Sequence, residues 1–264
     1  MPEGDTVYQA ARRLHTALAG QVLTRSDLRV PRFATADLTG SSVLEVTPRG
    51  KHLLTRIEGG LTLHSHLRMD GSWRIFEPGQ RWNGGPSHQI RAILGNATHT
   101  AVGYRLPVLE LVRTQDESKV VGHLGPDLLG PDWDAEVALR NLLQDPARPI
   151  GEALLDQRNL AGVGNVFKSE ICFAVRVVPW LAIGDCPAPS AWWPPRSGSW
   201  KPTRTARSVR RTSTAGPAGR VRAAAPPSVP PRSATPRAVS GRRTGAPRAS
   251  RRPLCEPARM SPHA

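Results

Sequence analysis

Pro2 offers the sharpest chemistry in the chain. A small residue after Met1 permits removal of that methionine, and Pro2 then presents a secondary α-amine. Free α-amines titrate at roughly pH 7.7–8.0, so a useful fraction is neutral and nucleophilic under physiological conditions. Standing just before a helix, this amine also feels a positive dipole end, which favours its neutral form. A secondary amine attacking an aldehyde-level carbon gives an iminium, an electron sink that acidifies the protons on the neighbouring carbon and lets a leaving group depart by β-elimination. Lys51 follows a turn glycine in Arg49-Gly50-Lys51, so its ammonium can be held out at a hairpin tip to pair with a phosphate. Residues 1–186 contain only two other lysines, Lys119 and Lys168, in a segment that otherwise prefers Arg. Asn165 follows Gly162 and Gly164 at the start of a second helix, where glycines allow close backbone approach and free N–H groups suit an anion. Lys168, one turn further on, adds a second phosphate contact. The histidines His52, His64, His66, His88, His99 and His123 lack Cys or acidic partners at ligand spacing and are assigned no role.

These groups need a frame. Residues 5–18 place Val7, Ala11, Leu14 and Leu18 at helical spacing, with Asp5 or Thr6 as N-cap and Gly20 as the stop. From 21 to 130 the pattern becomes short β-rich runs. QVLTRSDLRV, SSVLEVTPRGKHLLTRIEGGLTLHSHL, GSWRIF, QIRAIL, TAVGYRLPVLELV and KVVGHL all read as strand, with hairpin turns at 49–51 and 58–60. Six or more such strands predict a small β-sandwich or barrel with the first helix beside it. Helical period returns after Pro131, in 134–143 and in a helix–turn–helix over 150–176 with Pro149 at its start. The fold class expected is α+β: an N-terminal β-sandwich over 1–130, then a helical domain over 131–186.

Charge separates a third segment. Residues 1–186 balance 20 basic against 20 acidic side chains, whereas 187–264 carry 15 Arg, Lys201 and the single acid Glu256. The whole net charge of +15 therefore sits in the last segment. That segment is dominated by Arg, Pro, Ala and Ser and has too few apolar residues to offset backbone entropy, so it reads as a disordered basic tail. No run of about 18 apolar residues marks a membrane helix. The N-terminus lacks the pattern of a secretory signal. Cys172, Cys186 and Cys255 form neither a disulfide framework nor a CxxC metal motif. A cytoplasmic, reducing location is expected.

Four patches together resemble the formamidopyrimidine-DNA glycosylase / endonuclease VIII family of base-excision repair enzymes. They are Pro2-Glu3-Gly4, Arg49-Gly50-Lys51, His66-Leu67-Arg68-Met69-Asp70-Gly71, and Leu155-Asp156-Gln157 with Ala161-Gly162-Val163-Gly164-Asn165. The opening PEGDT is more similar to the endonuclease VIII side. The resemblance covers residue 2 to about residue 185 and implies a bifunctional DNA glycosylase/AP lyase that excises oxidised bases, pyrimidines in the first place. It implies Pro2 as Schiff-base nucleophile, Glu3 as proton donor and acceptor beside the deoxyribose, and Lys51 on the phosphate flanking the lesion. Arg68 and Met69 then belong to the loop that fills the gap left by an everted base, where an apolar wedge recovers part of the lost stacking. Asn165 and Lys168 become the phosphate grip of a helix–two-turn–helix element. The partner implied is double-stranded damaged DNA, bound by a monomer at the bacterial nucleoid.

The family usually continues into a four-cysteine zinc hairpin. Beyond Asp185 only Cys186, Cys255 and His263 are on offer, so a four-ligand site cannot be built and no metal or cofactor is expected. Two readings of residues 187–264 stand: frameshifted translation of a lost helical and zinc-finger segment, or a genuine basic tail that binds DNA through counterion release. Two functional readings stand as well, an enzyme or a non-catalytic damaged-DNA binder.

Overall fold

The computed structural model describes residues 2–187; the readings of the tail as disordered, frameshifted or DNA-binding lie outside the described residues. The chain opens with helix α1 (Gly4–Leu18), whose Val7, Ala11, Leu14, Ala17 and Leu18 are all buried along one stripe. Eight strands follow: β1 (Arg25–Leu28), β2 (Val43–Arg49), β3 (His52–Ile57), β4 (Leu61–His66), β5 (Ser72–Phe76), β6 (Ile90–Gly95), β7 (Thr100–Tyr104) and β8 (Val108–Arg113). They form two antiparallel four-stranded sheets, ordered β2-β3-β4-β8 and β1-β6-β7-β5.

The apolar stripe of α1 packs into one core with Val43, Val46, Leu53, Ile57, Leu63, Ala92, Leu94 and Ala101 from both sheets. Full burial of Leu14 or Leu18 contributes about 1.5–3 kcal/mol each. Alternation along β6 then turns Ile93 to the opposite face, where it joins Phe76, Ile90, Val102 and Tyr104 under Trp82. This matches the expected sandwich with a flanking helix.

Helices α2 (Ser118–Val121), α3 (Ala135–Leu142), α4 (Ile150–Leu155) and α5 (Asn165–Ala174) complete the described chain. Asp134 caps α3 by accepting from the N–H groups of Glu136 and Val137. A separate core of Ala138, Leu142, Ile150, Ala153, Leu154, Leu160, Val163, Phe167 and Ile171 holds α3, α4 and α5 together.

Three local expectations are corrected. KVVGHL is not a strand: residues 118–121 form the short helix α2, because Glu117 is pinned by Arg56 and Thr62 and its carbonyl accepts the N–H groups of Val120 and Val121. The single run TAVGYRLPVLELV divides into β7 and β8, since Arg105 adopts a positive φ of 46° and Pro107 has no N–H for a ladder. Neither Asp5 nor Thr6 caps α1; the N-cap is Glu3, whose side chain is committed elsewhere.

Candidate active site

Three distant segments meet at one point. The N–H of Gly4, in the first turn of α1, donates to the carbonyl of Gly162 at 2.9 Å. Glu3 is only 3% exposed, and its carboxylate closes the N-terminus of α5: Oε2 accepts from the N–H of Gly164 (3.1 Å) and Phe167 (3.0 Å), and Oε1 from that of Val166 (2.8 Å). Those are donors that a helix leaves without intrahelical partners, so a carboxylate there satisfies them and meets the positive end of the helix. A Cβ on Gly164 would lie 2.5 Å from Glu3 Oε1, which is why this position has no side chain. Pro2, half-buried, directly precedes the anchored Glu3.

The third segment is the hairpin turn carrying Lys51. Gly50 takes a positive φ of 57°, and a Cβ there would meet the Cβ of Ala161 at 2.9 Å. The N–H of Gly50 donates to Asp127 Oδ2 at 2.6 Å, and Asp127 Oδ1 accepts from the N–H of Leu129. Arg49 extends the same clamp, donating to the carbonyls of Leu124 and Gly125 and pairing with Asp132. Burial pushes the Asp127 carboxyl above its usual range, against the pull of its N–H donors. Burial also pulls the Lys51 ammonium below its ordinary value, opposed by the nearby charge of Glu3. Lys51 and Glu3 therefore sense each other across the junction.

Asn165 opens α5 as expected, and its Oδ1 accepts from Lys168 Nζ at 3.2 Å, so the two polar side chains share one exposed face. Gln157 braces the loop before it, donating to the carbonyls of Leu155 and Val163 and accepting from the N–H of Gly162. The turn after β4 is tight: the N–H of Gly71 donates to the carbonyl of Leu67, and Arg68 has a φ of 46°. Arg68 donates its N–H to His66 Nδ1, and Arg105 holds the carbonyl of Asp70. Met69 stands on this braced turn 63% exposed, a thioether presented to solvent rather than packed in the sandwich.

Pro2, Glu3, Lys51, Asn165 and Lys168 are thus gathered around the junction of α1, α5 and the β2–β3 hairpin. The turn carrying Arg68 and Met69 leaves the strand that pairs with β3, one residue beyond His66, which lies opposite His52. Sequence reasoning missed Asp127, because a lone Asp among Gly and Pro looks like an ordinary turn residue, and it gave Arg49 no role beyond its place in the motif. It also missed a histidine cluster: His64, His66 and His123 all pack against the ring of His52. The signal available was the alternation of His64 and His66 on one strand face, with His52 following Lys51. Among the described residues no group of three or more His, Cys, Asp or Glu is arranged to hold a metal ion. Cys172 and Cys186 are buried in the helical core. The zinc hairpin that the resemblance implies falls beyond Asp185, in a stretch almost wholly outside the described residues.

Comparison with known proteins accords with this geometry. Residues 1–106 match the model of the formamidopyrimidine-DNA glycosylase N-terminal domain. A protein of Streptomyces coelicolor named probable endonuclease 8 2 is 74% identical over 191 residues, spanning 72% of this chain and 69% of its own. The DNA-(apurinic or apyrimidinic site) lyase Nei2 of Mycolicibacterium smegmatis is 48% identical over 189 residues, 72% of this chain and 73% of its own. Among solved structures, the formamidopyrimidine-DNA glycosylase of Lactococcus lactis shares the fold with a TM-score of 0.61 at 22% identity, covering 72% of this chain and 73% of that one. With Glu3 locked onto the head of α5 and relatives of this identity along the described region, the chain belongs to the formamidopyrimidine-DNA glycosylase / endonuclease VIII family.

Proposed function

We propose that this protein is a bifunctional DNA glycosylase/AP lyase of base-excision repair, acting on oxidised pyrimidines in double-stranded DNA. The observation that carries the reading is the placement of Pro2. Pro2 directly precedes Glu3, whose buried carboxylate reaches the head of α5, the turn that this reading takes as the phosphate grip. The names of the relatives, endonuclease 8 and apurinic/apyrimidinic-site lyase, support the same chemistry.

In this mechanism the Pro2 nitrogen attacks C1′ of the damaged nucleotide, the C1′–N bond to the base breaks, and the C1′–O4′ bond of the resulting aminal then opens, O4′ taking up a proton as the iminium forms. The resulting iminium withdraws electrons from C2′; loss of a C2′ proton expels the 3′-phosphate, and water then releases Pro2. Glu3 Oε1 accepts only one N–H, so it keeps a lone pair for proton transfer beside the sugar. Lys51 pairs with the flanking phosphate, Asn165 and Lys168 grip the backbone on the α5 side, and Met69 with Arg68 occupies the space vacated by the everted base. Backbone grips of this kind fix register without reading sequence. The enzyme works as a monomer in the cytoplasm at the nucleoid, with no membrane partner.

Borohydride trapping on a duplex with one abasic site tests the reading. A covalent adduct is expected with the native chain and none with Pro2→Ala. A Pro2→Ala variant that still traps, or a Met1-free native chain that binds the duplex and never traps, would leave a damaged-DNA binder instead.

A further inference from the structure

Four imidazoles converge beside the Lys51 hairpin. His52 and His66 face each other across β3 and β4, edge to face with centroids 4.8 Å apart. His64, 3% exposed, stacks on His52 and places its Nε2 2.8 Å from His52 Nδ1. Its other nitrogen, Nδ1, lies 3.1 Å from Oε2 of Glu110 on β8. His123 meets the His52 ring edge on at 6.3 Å.

Proton positions follow from these contacts. An ionised carboxylate only accepts, so His64 carries its proton on Nδ1 and offers a lone pair at Nε2. His52 therefore donates from Nδ1, and in a neutral imidazole its Nε2 is a bare acceptor. Among the described residues that Nε2 has no hydrogen-bond partner. His66 has the opposite tautomer, because its Nδ1 accepts the N–H of Arg68. The result is a carboxylate–imidazole–imidazole chain. One end is the half-exposed carboxylate of Glu110; the other is an unfilled base next to Lys51.

A buried neutral imidazole needs no carboxylate behind it, whereas an imidazolium is stabilised by one. In the free protein the groups facing His52, His64 among them, oppose that charge. Lys51 is on the adjoining turn, His66 sits across the ladder with Arg68 beside it, and His123 follows α2. Arg49, opposite His52 on β2, is tied to Asp132 and two carbonyls. Burial, helped by these neighbours, holds His52 down to about 3. An arriving phosphate reverses the sign of the local field.

We propose that Glu110, His64 and His52 form a proton-accepting relay for DNA: when a backbone phosphate docks at Lys51, His52 takes one proton from solvent on Nε2 and becomes a second cation beside it. An O–H bond of hydronium breaks as the N–H bond forms, water is returned, and the new charge is balanced through His64 by Glu110. This rests on the reading of Lys51 as a phosphate contact.

The test is calorimetric titration of the full chain with a duplex carrying a tetrahydrofuran abasic analogue, which cannot form an iminium. Repeating it in buffers of different ionisation enthalpy counts protons taken up. Between about pH 7.5 and about pH 5.5 uptake should rise toward about one proton per complex. It should fall toward the background level in His52→Gln. Glu110→Gln, a change at the half-exposed end of the relay, should reduce it in the same way and serves if His52→Gln fails to fold. Uptake unchanged in the folded variants overturns the relay. A Lys51→Gln variant that binds as tightly as the native chain overturns instead the phosphate reading on which the relay rests.

Discussion

Glu3 joins two demands in one side chain. Its carboxylate satisfies three backbone donors at the head of α5 while standing next to the nucleophile. Replacing it with Ala leaves those N–H groups, two of them in buried hydrogen bonds, without an acceptor, and buried donors stripped of a charged partner cost about 2–4 kcal/mol. Glu3→Gln keeps one oxygen acceptor but turns an amide toward other donors, so about half that loss is expected. Urea denaturation checks both. Trapping measured at equal folded fraction separates the proton-transfer role: Glu3→Gln should still form adduct more slowly, and an unchanged rate would reduce Glu3 to a cap. The type of residue was legible in Pro2-Glu3-Gly4, but its hydrogen-bond partners were not, because they lie 161 to 164 residues away.

At the scale of elements, the site depends on turns that admit no side chain. Gly164→Ala would put a methyl carbon 2.5 Å from Glu3 Oε1 with that carboxylate confined by its N–H donors. The expected outcome is a loss of roughly 2 kcal/mol or more in stability, together with loss of trapping. Val166→Ala, half-exposed on the same helix, should change neither by much. Those glycines were visible as turn signals, and so were α1, the hairpins at 49–51 and 58–60, and the pair α4–α5, since each has a strong period or a Gly-bearing turn. The failures have a common cause. KVVGHL has β-branched residues, but the 3-10 turn Thr114–Asp116 follows β8, and Glu117, anchored by Arg56 and Thr62, starts a helical turn. Spacing along one strand could not show that His64 meets a carboxylate on β8, a contact 46 residues distant.

For the whole molecule, acid is the condition that probes how sandwich and helices are joined. The histidine cluster lies between the β3–β4 ladder and the loop after α2, and two of its members, His52 and His66, are held neutral. Burial pushes His52 down to about 3 and His66 down to about 4, with neighbouring positive charges adding to the effect. An unfolded histidine titrates near about 6.5, so the unfolded chain binds these protons first. The stabilisation is therefore complete above about pH 6.5 and is lost progressively as pH falls through the folded values. Urea midpoints at about pH 7 and about pH 4.5 should differ less in the double variant His52→Gln/His66→Gln than in the native chain. An equal difference would place the acid sensitivity in the carboxylates alone. Asp156 contributes in the same direction: the guanidinium of Arg158 and, beside it, that of Arg148 hold its carboxyl well below the usual range, so its support is also lost on acidification.

The lock between Glu3 and α5 also fixes how preparations of this protein should be counted. Because Glu3 is placed by buried contacts whether or not a residue precedes Pro2, a chain retaining Met1 folds and binds like any other, yet its proline nitrogen is a tertiary amide with no lone pair to offer. Such molecules are silent passengers, invisible to unfolding curves and gel filtration. The plateau of borohydride-trapped adduct, in moles per mole of protein, should equal the fraction lacking Met1 by intact mass. Any amino-terminal tag left in place should bring that plateau to zero while leaving the melting transition where it was.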